Sequence, residues 1–185
     1  MMMEKNVEID AGRYVAWYAR PVVHAYAYFF IGFLVPFSLG HPQLLVGSVV
    51  NTVLVLSAMQ FGFRKTVPLL FAPSIAVLAR GLVFGPFTPF LAVMLPFIWA
   101  GNVLLVWIVS EFYRNKRNNY GITLGAAAGA KTSFLFSSAY ALVSLSILPP
   151  LFLATMGLDQ LVTAVIGGVV AFGAYNAGIA KLADF

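Results

Sequence analysis

Apolar residues run along this chain in long blocks, interrupted by short polar, basic or glycine-proline stretches. A helix crossing about 30 Å of hydrocarbon needs roughly 20 predominantly apolar residues, and that rule yields six candidate segments. The first runs from about Pro21 to Leu39 and ends at Gly40-His41-Pro42. The second runs from about Leu44 to Phe63 and stops at Arg64-Lys65, and the third from about Val67 to Phe84, before Gly85-Pro86. The fourth, from about Phe87 to Ser110, carries no charged residue. The fifth lies between about Gly121 and Leu148 and ends at Pro149-Pro150, and the last runs from about Gln160 to Ala180.

Composition sharpens this pattern into a solvent requirement. Of 185 residues 61% are hydrophobic and only 9% charged, with mean hydropathy +0.91, whereas an average soluble domain carries about a quarter charged residues. A water-soluble fold of this length leaves too much surface wet to hide that apolar content. The expected fold is therefore all-α: one polytopic membrane domain over residues 1–185, with six transmembrane helices. The polar, mixed-charge start Met1–Tyr14 lacks the basic-then-apolar order of a cleavable signal peptide, so the first apolar run is expected to be retained.

The net charge of +5 reports orientation rather than nucleic-acid binding. With both termini cytoplasmic, the inner segments hold Lys5, Arg13, Arg20, Arg64, Lys65, Arg114, Lys116, Arg117 and Lys181, while the outer connections around 40–43, 85–89 and 149–159 contain no Lys or Arg. That division follows the positive-inside rule.

Chemistry has few places to sit. The chain has no cysteine, which excludes disulfides and thiolate chemistry, and its two histidines, His24 and His41, stand far from any acidic cluster that would hold a metal. No phosphate-binding glycine loop or Gly-x-Ser-x-Gly motif occurs. Neither an enzyme, a resident cofactor nor a self-powered pump is expected.

Polar groups at membrane depth are the remaining candidates, since charges there are costly and mark function by default. Arg80 comes about 15 residues after Lys65, roughly 22 Å along a helix; it either snorkels to outer headgroups or faces an outward cavity and holds an anionic group. Lys131 lies about 18 residues, roughly 27 Å, before Pro149, which sets it near the cytoplasmic boundary. A fifth helix starting at Gly121 would instead bury it in the bilayer. Asp159 and Gln160 open the last helix, where an aspartate is a natural N-cap or a substrate contact at a cavity lip. His41, in the first outer loop, is an ordinary loop residue or a substrate contact. Asn51 and Tyr140, with Gln43, Ser48, Ser144 and Thr163, lie along outer halves of helices, and Trp99 and Asn102 lie deeper. Together they suit an apolar pocket with a few placed hydrogen-bonding groups.

Prolines 21, 36, 68, 73, 89 and 96 fall in or at the ends of these helices, either as packing irregularities or as breaks that shape a cavity. Small residues recur at four-residue spacing: Gly125 with Gly129, Ala126 with Ala130, Gly167 with Ala171, Gly173 with Ala177 and Ala174 with Gly178. Such faces allow close helix packing, within the chain or against another subunit.

With the segments Phe84-Gly85-Pro86-Phe87-Thr88-Pro89-Phe90 and Pro96-Phe97-Ile98-Trp99-Ala100-Gly101-Asn102 as its distinctive runs, the chain resembles the substrate-binding S component of an energy-coupling-factor (ECF) transporter. The likeness is architectural and covers nearly the whole chain: 20.0 kDa, six expected helices, both ends cytoplasmic and no energy-coupling motif. It implies a pocket for a vitamin-like small molecule opening outward from the cytoplasmic membrane of a prokaryote. It also implies docking onto a transmembrane coupling subunit driven by two cytoplasmic ATPases, with membrane lipid around the bundle. Members commonly carry Ala-x-x-x-Ala in the first helix for that docking; here Gly12-x-x-x-Ala16 precedes the helix and no clean copy lies within it. The other classes open are a small stand-alone channel or carrier, and a structural or assembly subunit of a membrane complex.

Overall fold

The computed structural model describes residues 21–39, 41–80 and 88–178, and over these the chain is helical throughout, with no strand. The helices are α1 (Pro21–Ser38), α2 (Gln43–Phe61), α3 (Phe63–Arg80), α4 (Thr88–Ile108), α5 (Tyr120–Ser144), a short α6 (Leu151–Met156) and α7 (Leu158–Asn176). A π-helical stretch, Val109–Asn115, extends α4. The basic N-terminal residues, Gly12 and Ala16, the Gly85-Pro86 break and Lys181 lie outside the described residues.

Local chemistry explains several boundaries that differ from expectation. α2 does not stop at Arg64-Lys65. It ends at Phe61, and Gly62 alone turns the chain, with φ of 77° and its N–H bonded to the Ala58 carbonyl at 3.0 Å. Glycine takes that left-handed conformation without a Cβ clash, so Arg64 and Lys65 fall in the first turn of α3. The fourth segment runs on past Ser110 to Asn115 through the π-helix. α5 starts at Tyr120, where the Asn119 side chain caps it by accepting from Ile122 N at 3.2 Å, the ordinary role of an asparagine at an N-cap. The connection expected at 149–159 contains α6.

α2 is the central element. It packs against α1, α3, α4 and α7, and Leu54, Val55 and Ala58 are fully buried there. α2 and α7 approach closely: a Cβ at Gly47 would stand 2.9 Å from Thr163 Cγ2. Of the four-spaced small pairs, Gly167 and Ala171 are buried in this packing. Gly125, Gly129 and Gly173 face open space instead.

The outer surface is apolar, with Val22, Phe30 and Leu34 on α1 and Val165, Val169 and Val170 on α7 all exposed. Four stretches, Pro21–Ser38, Gln43–Phe61, Pro89–Asn115 and Leu151–Asn176, are long and apolar enough to cross a membrane. The other long helices are less apolar: α3 holds Arg64, Lys65 and Arg80, and α5 holds Lys131 among many Gly, Ala, Ser and Thr residues. An all-helical bundle with an apolar exterior associates with a membrane, because lipid is the solvent in which such a surface carries no hydrophobic penalty.

Candidate functional site

Three helices each bring one polar side chain to a common place inside the bundle. Asn51 on α2, Lys131 on α5 and Thr163 on α7 are each 2% exposed. Lys131 Nζ donates to Asn51 Oδ1 at 2.7 Å. Asn51 Nδ2 donates to Thr163 Oγ1 at 3.2 Å, and the Thr163 hydroxyl donates to the Asp159 carbonyl at 2.8 Å. Buried polar groups persist where they are hydrogen-bonded, and this relay supplies those bonds across three helices.

The start of α5 at Tyr120 decides the depth of Lys131. The lysine stands about 11 residues, or roughly 16 Å, into its helix, and it is enclosed by neighbouring helices. It does not snorkel at a helix end, as the count from Pro149 favoured.

A cleft of about 730 Å³, open volume at its mouth included, reaches this relay. Asn51, Asn102 and Lys131 supply polar groups in its depth, and Asn102 is itself buried. Val46, Val50, Val77, Leu91, Leu95 and Ile98 form apolar walls, while Gln43 and Gln160, from the first turns of α2 and α7, stand toward the mouth. Pro36 and Pro73 also line it, so two of the intrahelical prolines do border a cavity; Pro68 and Pro96 are exposed. The lining comes from the ends of α1 and α3 and the starts of α2, α4 and α7. The cleft therefore opens at the end of the bundle opposite Arg64, Lys65, Arg114, Lys116 and Arg117.

No family model, curated protein or solved structure matches this chain.

Of the residues singled out in the sequence, Gln43, Asn51, Asn102, Lys131 and Gln160 line the cleft. Arg80, Trp99, Tyr140, His41 and Asp159 do not. Arg80 is exposed and its Nη1 donates to the Phe37 carbonyl at 3.0 Å, satisfying one of the backbone acceptors that every helix C-terminus leaves over. Trp99 packs edge-on against Phe71 with ring centres 5.0 Å apart, and its buried Nε1 has no hydrogen-bond partner among the described residues. Tyr140 is exposed and stacks on Phe136. His41 is exposed in the α1–α2 connection. Asp159 is not the N-cap of α7; Gly157 holds that position and the carboxylate sits inside the first turn, where the helix dipole favours it.

Sequence reading passed over Ser74, a buried residue of the cleft wall, and left Thr163 as one of several unranked hydroxyls. Proximity of Ser74 to Pro73 was the available signal. Nothing local marks Thr163, whose partner Asn51 is 112 residues away. Among the described residues no three His, Cys, Asp or Glu side chains come together.

Proposed function

We propose that this chain is the substrate-binding membrane subunit for uptake of a vitamin-like small molecule, energised by a separate coupling subunit and ATPases, as in an ECF transporter. The observation that carries the reading is the cleft that enters from one end of the bundle and stops at buried Asn51, Asn102 and Lys131. Apolar walls with a few convergent polar groups are what small-molecule sites are built from. A cleft closed halfway through the bundle suits capture better than free conduction.

In this reading α1 to α5 and α7 all span the cytoplasmic membrane of a prokaryote, with both termini inside. The supporting observation is that Arg64, Lys65, Arg114, Lys116 and Arg117 gather at one end of the bundle and the cleft opens at the other. α3 and α5 cross despite their charges because Lys131 is sequestered within the protein and the remaining basic residues stand near helix ends.

Native mass spectrometry of the purified protein tests the site. A small molecule retained by the wild type and lost from Val77→Phe, which narrows the cleft, is expected. A wild type that carries and binds no small molecule overturns the proposal and leaves an assembly subunit. Proteoliposomes test the energy source: the chain alone should bind without accumulating substrate, and accumulation without partners would make it a stand-alone carrier.

A further inference from the structure

The depth of the cleft holds a lysine that has no acidic partner among the described residues. Lys131 Nζ can donate three hydrogen bonds, and the one it makes goes to the neutral amide of Asn51. Among the described residues no carboxylate pairs with it: Glu111 lies 3.5 Å from Lys116, and Asp159 sits in the first turn of α7, where only its backbone carbonyl meets the Thr163 arm of the relay. Arg80, the other cation near the outer end, is exposed, donates to the Phe37 carbonyl and does not line the cleft. An ammonium 2% exposed in a bundle with an apolar exterior is costly to hold and gains strongly from an anion brought to it.

Resting on the reading of the cleft as a small-molecule site, we propose that its ligand is a carboxylate. The ligand's carboxylate lies against Lys131 Nζ, with the Asn51 and Asn102 amides beside it, and its apolar body extends along Val50, Leu95 and Ile98 toward Gln43 and Gln160. One ammonium matches one monoanion. A doubly charged phosphate would leave a net negative charge among apolar walls, a cationic ligand would be repelled by the ammonium, and a neutral ligand would be met only by a deprotonated Lys131 or would leave its charge uncompensated.

Thermal shift and calorimetry on the purified full chain in detergent test this with matched pairs: hexanoate and hexanamide, benzoate and benzamide, indole-3-acetate and indole-3-acetamide. At least one carboxylate is expected to stabilise the wild type and bind about tenfold or more tightly than its amide, as loss of a charge-assisted hydrogen bond implies. Lys131→Met should erase that preference, and Lys131→Arg should retain part of it. Thermal unfolding of the ligand-free variants establishes that they are folded, and a wild-type preference for carboxylates stands as evidence even if Lys131→Met fails to fold. Carboxylates that act no better than their amides overturn the assignment, as does a copurifying molecule that is neutral or cationic. If such a neutral or cationic molecule is lost from Val77→Phe, the cleft remains a binding site and only the charge class falls.

Discussion

Gly167 on α7 meets Asn51 on α2 so closely that a Cβ at position 167 would stand 2.7 Å from Asn51 Cβ. The same added atom would lie 2.7 Å from the Ser48 carbonyl oxygen. A small residue there is thus what lets α7 bring Thr163 within reach of Asn51. Gly167→Val is expected to lower stability by about 2 kcal/mol or more, as overpacking does, and to weaken ligand retention by displacing Asn51. A Cβ added at Gly173 would meet nothing within 4 Å, so Gly173→Ala should leave ligand retention unchanged and raise stability by up to about 1 kcal/mol, as replacing a helical glycine does. Thermal unfolding in detergent compares the two, and equal effects would contradict the close approach.

The bond from Lys131 to Asn51 joins residues 80 apart in the chain, and its strength is open to a double-mutant cycle. Asn51→Ala strips the ammonium of its partner and is expected to cost about 3 kcal/mol. Lys131→Met removes the charge itself and should cost less, the residual penalty being an unpaired Asn51 amide oxygen. The double variant should be more stable than the sum of the two predicts, by about 1–3 kcal/mol. Strict additivity, measured by chemical denaturation, would mean that the contact contributes nothing.

Arg80 serves the end of α1 rather than the cleft. Arg80→Ala should lower stability by at most ~1 kcal/mol, the scale of a cation at a helix C-terminus, and should leave affinity for any cleft ligand unchanged. Titration of wild type and variant with the same ligand checks this; a tenfold loss would return Arg80 to the site.

The cysteine-free sequence permits topology mapping without background labelling. Single cysteines at Arg117, in the turn before α5, and at Ser146, in the turn after it, should react with membrane-impermeant maleimide from opposite faces, Ser146→Cys from outside. Labelling of both from the same side would show that α5 does not cross and would remove the six-span arrangement.

Much of the helical framework was legible because it depends on sums along short windows. Apolar runs bounded by Gly40-His41-Pro42 and Pro149-Pro150 mark helices whatever surrounds them, since lipid rewards apolar area without regard to partners. Boundaries were less legible where one residue decided them. Gly62 turns the chain alone, the π-helical extension carries the helix past Ser110 into the charged residues Glu111 and Arg114, and the six residues of α6 are too few for a window of membrane-spanning length to register.

The amino-acid order alone thus determined that the chain is helical, apolar on its outside and sparing with charge, because those properties are local and additive. Which polar side chains meet was decided only by tertiary structure. A shift of one residue in a helix's register against its neighbours turns its side chains by about 100°, so the packing of α5 and the close approach of α7 at Gly167 were needed to bring Lys131, Asn51 and Thr163 together. The same rotations left Arg80, Trp99 and Tyr140 outside the cleft, although nothing in their neighbouring residues set them apart.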